Sequence, residues 1–194
     1  MKPIRILLCC LLLLPFLSQC GRESTEDISQ ALLRKSQPIA QEFSKVLKDE
    51  LQRAIQEKGP AGGIEVCKTV STLWEDKFST IDPDVLRVRR ISLKTRNPER
   101  HTPTEAERTW LEQQEQALRD QKTAPAPTIL RGESSTTVLF PIIINDALCL
   151  RCHGPQEMIT DDVKQALGEN YPLDRATGYQ QGDLRGALAI EWKP

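Results

Sequence analysis

Cys149-Leu150-Arg151-Cys152-His153 sets two thiols three positions apart and an imidazole directly after the second. Thiols at that spacing reach the two vinyl groups on one side of a porphyrin and close two thioether bonds. The following histidine is then held beneath the iron as its proximal ligand. This is the haem c attachment pattern. A structural zinc site needs a second pair of ligands at matching spacing. Outside this pentapeptide and the N-terminal region, only Cys67 and His101 remain as Cys or His. A thioredoxin-like dithiol has no use for the histidine.

The N-terminus explains the other cysteines. Lys2 and Arg5 precede an apolar run, Ile6 to Leu17, that is too short to span and stay, and it ends in Leu17-Ser18-Gln19-Cys20-Gly21. That is the layout of a secretory signal peptide over residues 1–19. The Leu-Ser-x-Cys ending also resembles the lipobox of bacterial lipoproteins, in which Cys20 is diacylated and begins the mature chain. Gln19 departs from the usual Gly or Ala. Residues 20–27 would then be a lipid-anchored tether, with the protein extracytoplasmic on the periplasmic side. Cleavage discards Cys9, Cys10 and two of the 26 basic residues but none of the 27 acidic ones, so the mature chain is mildly acidic. Such a balance argues against a nucleic-acid partner. Cys67 is left as an unpaired thiol in an oxidising compartment.

Three side chains compete for the second axial position. Met158 is five residues from His153 and is expected to be a gap-filling apolar residue. His101, beside Arg100 and a helix cap, reads as a solvated loop histidine. Cys67 shares a helical face with Val70 and Trp74 and is expected to point inward; a small buried hydrophobe is its plain alternative. A water-bound or open iron is the fourth outcome. Arg96, Arg151, Arg175 and Arg185, with Tyr171 and Tyr179, are candidates to meet haem propionates.

The elements that must position these groups follow from periodicity. Apolar residues recur at three- and four-residue steps over Asp27–Lys58, a long helix expected to bend at Pro38 and to end at Gly59-Pro60-Ala61-Gly62-Gly63. A second helix carries Cys67. Leu86 to Leu93 reads as a strand with outward charges, and Arg96-Asn97-Pro98 as the start of a loop. Thr102-Pro103-Thr104-Glu105 reads as a capping box opening a helix to Asp120. Ala124-Pro125-Ala126-Pro127 is a stiff connector. Thr128–Arg131 and Ser135–Asn145 form a hairpin, with Pro141 at an edge or bulge. A short helix over Asp161–Leu167 and a strand over Arg185–Trp192 complete an α+β domain spanning residues 28–194. Only 5% of the residues are aromatic. A haem, itself a large apolar slab, would fill such a core.

Several segments together resemble the single-haem c domain family with a PAS-like fold. They are Gly63-Ile64-Glu65-Val66-Cys67-Lys68, Arg96-Asn97-Pro98, the pentapeptide with Gly154, Tyr171 through Tyr179, and Gly182-Asp183-Leu184-Arg185-Gly186-Ala187. The resemblance implies a PAS-like antiparallel sheet flanked by helices, with a long N-terminal helix, around one covalent haem c. It also implies His153 and Cys67 as proximal and distal iron ligands. Glu99-Arg100-His101 departs from the family pattern. The expected function is that of a lipid-anchored monohaem cytochrome in electron transfer or redox sensing, with a redox partner protein. The alternatives are a gas or small-ligand sensor and a haem peroxidase or reductase, the last disfavoured by the shortage of histidine.

Overall fold

The computed structural model describes residues 25–120 and 125–194. The expected signal peptide, Cys20, most of the expected tether and the first residue of the Pro-rich connector lie outside the described residues. Ten elements follow in order: α1 (Thr25–Phe78), β1 (Val85–Ile91), α2 (Pro98–His101), α3 (Glu105–Arg119), β2 (Thr128–Arg131), β3 (Thr136–Ile143), α4 (Ala147–His153), a 3-10 turn (Gln156–Met158), α5 (Asp161–Asn170) and β4 (Leu184–Trp192). Among the described residues no helix is long and apolar enough to cross a membrane.

The expected break after residue 58 is there, but it is a single residue. Gly59 alone within α1 leaves helical geometry, at φ 73° and ψ 177°, a conformation open chiefly to glycine. Pro60 restarts the helix at a position where no amide donor is needed. Residues 60–63, expected to be loop, are helical, and helical φ/ψ run unbroken through Pro38. Residues 43 and 78 of a straight helix would stand about 50 Å apart. Here the rings of Phe43 and Phe78 meet edge-on at 5.6 Å. A Cβ at Gly63 would lie 3.0 Å from Leu51. α1 is therefore a hairpin of two antiparallel arms.

The four strands form one antiparallel sheet in the order β1-β4-β3-β2. Side chains alternate across it. Val88, Val138, Leu188, Ile190 and Trp192 face the α1 hairpin, packing on Ile39, Ala40, Phe43 and Phe78. Ile91, Leu139, Ala187 and Ala189 face the other way, onto Trp110 and Leu111 of α3. β4 is central and covered on both faces, so it is apolar nearly throughout. An irregularity in β1 between Val85 and Arg87 lets Val85 join the same face as Val88. Pro141 lies where β3 has run past its pairing with β2, which covers only residues 136–139. The missing N–H is tolerated at such an edge.

Three expectations about polar residues are corrected. Of the three charges of β1, only Arg87 is outward. Arg89 is buried on the α3 face, where its guanidinium donates to both oxygens of Glu107 at 2.8 and 2.7 Å. Arg90 turns to the α1 face and meets Glu75. The capping box of α3 sits two residues later than read: Thr104 is the N-cap and Glu107 the reciprocal partner. Pro98–His101 is a short helix rather than loop.

Candidate functional site

β3 runs almost directly into α4, which carries the Cys-x-x-Cys-His pentapeptide. Asp146 caps α4, its Oδ1 accepting the Leu148 amide at 2.9 Å. The Gly154 amide returns to the Leu150 carbonyl, so the helix stops one residue after His153. Cys149, Cys152 and His153 are all half-buried. Cys149 leans on a cluster of Ile144, Ala176 and Tyr179. Cys152 leans on another, of Ile64, Ile159, Val163 and Leu167, joining α1 to α5.

The segment 174–179 wraps the imidazole. Backbone amides of Gly178 and Tyr179 donate to the carbonyls of Gly154 and His153 at 2.8 and 2.9 Å. The Ala176 carbonyl lies 2.6 Å from His153 Nδ1. A carbonyl only accepts, so Nδ1 carries the proton and Nε2 keeps its lone pair. Burial, together with the positive charges of Arg185 and Arg96, holds the imidazole well below its ordinary pKa. Tyr179 stands edge-on to the ring at 6.2 Å. A neutral histidine oriented through its second nitrogen is what a metal ligand requires.

Arg96 ties this wrap to the motif. Its guanidinium donates to the Cys152 carbonyl at 2.6 Å and to Asp174 Oδ2 at 3.1 Å. Asp174 Oδ1 accepts the Ala176 amide. Arg185 differs, because among the described residues its donors reach Ser92 Oγ at 2.8 Å and the Lys94 carbonyl at 3.4 Å but no carboxylate. With no carboxylate partner and with Arg96 and Arg90 nearby, its pKa is pulled down to about 10, burial being the largest cause. A shielded cation in this state is set to receive an anion. Arg151 and Arg175 are exposed, and Tyr171 is half-buried with Arg96 5.9 Å from its ring.

Cys67 is half-buried on the second arm of α1. Ser71 donates to its carbonyl, and the helix presents Ile64, Cys67, Ser71 and Glu75 inward, so its companions are more polar than the expected Val70. Burial raises the Cys67 thiol pKa against the pull of Arg90 and Arg96, two guanidiniums that also act on His153. Cys67 in turn helps raise Cys152 to about 11 and Tyr171 to about 12, burial leading in both. Cys67 and the pentapeptide thus share one electrostatic environment.

The other two axial candidates are elsewhere engaged. His101 is buried, not solvated, and its Nε2 lies 2.9 Å from Glu75 Oε1. Met158 is 64% exposed on the 3-10 turn, not filling a gap. Sequence reasoning missed Glu75, Arg90 and Asp174. The first was detectable as the third member of the Cys67, Ser71, Glu75 repeat at four-residue steps.

The family model for Tll0287-like proteins matches residues 21–192. The chain belongs to the Tll0287-like family. The crystal structure of the cyanobacterial heme-protein Tll0287 matches with a TM-score of 0.57 at 22% identity, covering 88% of this chain and 97% of that one. At that identity the likeness establishes a shared fold. No curated protein matches the chain. Within the Tll0287-like fold, the α+β architecture and long N-terminal helix expected from the sequence are borne out.

The donor set fits a haem. Two thiols and a neutral imidazole lie within one short helix, a third thiol shares their environment, and a cation without a counter-ion stands beside them.

Proposed function

We propose that the chain is an exported monohaem c-type cytochrome that carries electrons or reports redox state. Cys149 and Cys152 would hold the haem through thioethers, and His153 and Cys67 would hold its iron. The observation that carries this reading is the His153 Nδ1–H bond to the Ala176 carbonyl, which leaves Nε2 available beside the paired thiols. Bound haem supplies one-electron exchange at iron. The chain's own part is to orient the imidazole through residues 174–179 and to shield the site with Tyr179 and the Ile64 cluster. Arg185 would neutralise a propionate, in preference to the exposed Arg151 and Arg175. The likeness in fold to Tll0287, a cyanobacterial heme-protein, supports the reading.

The sequence supports the setting. Residues 1–19 would be removed as a signal peptide, and a diacylated Cys20 would hold the protein to a membrane, since one acyl chain alone binds only marginally. A redox protein is the expected partner.

The test is haem retention. Protein made in a host with haem c maturation should keep one haem per chain through denaturation, and the Cys149→Ala/Cys152→Ala double variant should lose it. Complete extraction by acid–acetone refutes covalent attachment. Cys67→Ala should open the iron to carbon monoxide, whereas His101→Ala should leave the ferric spectrum unchanged. The reverse pattern refutes Cys67 ligation. An anionic thiolate favours Fe(III), so the midpoint potential should be low, and Cys67→Met should raise it.

A further inference from the structure

The start of the segment that wraps His153 also borders a groove of about 600 Å³. The loop after β1, the start of α3 and residues 172–175 form its walls. Leu93, Pro98, Pro103 and Leu173 supply its apolar lining, and Ser92, Thr95 and Thr102 add hydroxyls. Arg108 enters from α3 and Arg175 from the 171–183 loop. Among the described residues no ion pair or hydrogen bond engages either guanidinium. The one acid in the lining, Asp174, is already committed: Oδ2 to Arg96 at 3.1 Å and Oδ1 to the Ala176 amide at 2.8 Å. Among the described residues the groove therefore sets two uncompensated cations beside apolar side chains.

We propose that this groove binds a small organic dicarboxylate, one carboxylate at Arg108 and the other at Arg175, and that its occupancy is felt at His153. Guanidinium forks match carboxylates in geometry and charge. The leucine and proline walls fit a hydrocarbon spacer, which an inorganic anion lacks. The volume is in the range of small-molecule sites.

The route to His153 is short. Arg175 donates its amide to the Thr95 carbonyl at 2.9 Å. The next residue, Ala176, supplies the carbonyl that orients His153. Asp174, one residue earlier, acts through Arg96 on the Cys152 carbonyl. A ligand drawing on Arg175 would displace the 174–176 segment and with it the bond that sets the donor strength of the imidazole. This second half rests on the haem reading; the first half does not.

The test is calorimetry on the intact protein with succinate, sulfate and succinamide as probes. Succinate should bind saturably, and sulfate and succinamide at least tenfold more weakly. Arg108→Gln and Arg175→Gln should each weaken succinate tenfold or more, with unchanged circular dichroism and melting. Arg151→Gln, an exposed cation outside the groove, should leave binding intact. Equal binding of sulfate and succinate, or wild-type affinity in the Arg108→Gln/Arg175→Gln double variant, overturns the site. Saturating succinate should also shift the midpoint potential of the holoprotein, and Arg175→Gln should abolish the shift. Succinate bound without any shift overturns the link to His153. Succinate bound by a chain that retains no haem refutes the haem reading and leaves the groove standing.

Discussion

Glu75→Gln is the perturbation from which the buried charge network has most to lose. The Glu75 carboxylate is fully buried. It receives His101 Nε2 at 2.9 Å, Arg90 Nε at 3.0 Å, and Arg100 Nε at 3.4 Å. Burial alone would raise its pKa. The His101 bond and the Arg90 charge outweigh burial and hold it at about 2, against an ordinary 4.5. At about 1.4 kcal/mol per pH unit, that depression is worth about 3 kcal/mol of folding stability. A carboxyl with a lowered folded pKa stabilises fully above its unfolded value and loses that contribution as pH falls, here between about 4.5 and 2. His101 has the same sign, because burial lowers its pKa and the unfolded chain takes up the proton first. Gln keeps the shape and one accepting oxygen but not the charge. The expected loss at pH 7 is about 2–3 kcal/mol, or about 5–10 °C in melting temperature for a chain of this size. Urea unfolding from pH 7 to pH 3, followed by far-UV circular dichroism, should show wild type and variant converging as pH falls. A stability gap constant across that range would refute the electrostatic account.

Three further outcomes follow from the packing. Gly186→Ala places a Cβ 2.1 Å from the Ile91 carbonyl oxygen, at a φ of 152°, and should cost about 3 kcal/mol or more through separation of β1 from β4, read by thermal melting. Arg89→Met should cost about 3–5 kcal/mol because Glu107 stays buried without its charge partner, whereas adding Glu107→Leu should restore part of it, about 1 kcal/mol being withheld by loss of the capping bond from the Thr104 amide, measured by chemical denaturation. Trp192→Phe removes the indole bond to Ser36 Oγ at 2.9 Å and should cost about 1 kcal/mol.

What the sequence made legible is what periodicity and turn chemistry encode. α3 carries helical spacing, β3 and β4 are short apolar runs, and all three appear within a few residues of their expected bounds. Three features escaped because tertiary partners decide them. The Gly59–Gly63 cluster reads as a loop by composition, yet only Gly59 needs glycine's freedom, and the rest continue the second arm. Arg89 and Arg90 look like solvent charges on a strand, but both faces of β1 are covered and each finds a carboxylate distant in sequence. His101 sits among charged neighbours, and nothing local announces that Glu75, 26 residues earlier, will bury it. The pentapeptide itself needed no fold to be noticed. Its orienting carbonyl, at Ala176, lies in a segment without regular structure, where no periodic signal exists.

The strand order has a consequence for how the protein is assembled. β4 follows every other element in the chain, yet it is the only strand that joins β1 to the β2–β3 hairpin. Until residues 184–192 are in place, the sheet exists as two unlinked halves. Both present unpaired edges, and neither half alone closes the core against the α1 hairpin. The segment 174–179, which later clamps the pentapeptide, lies just ahead of β4 and has no anchored end before then. Chain synthesis in the N-to-C direction would therefore leave Cys149 and Cys152 on an open peptide for as long as β4 is missing. In that interval the machinery that the proposed haem attachment needs would meet short linear sequence rather than a folded surface. Docking of the final strand closes the interval, converting reactive, accessible thiols into shielded ones. Folding thus sets a deadline for any chemistry at the pentapeptide, and the last strand is its timer.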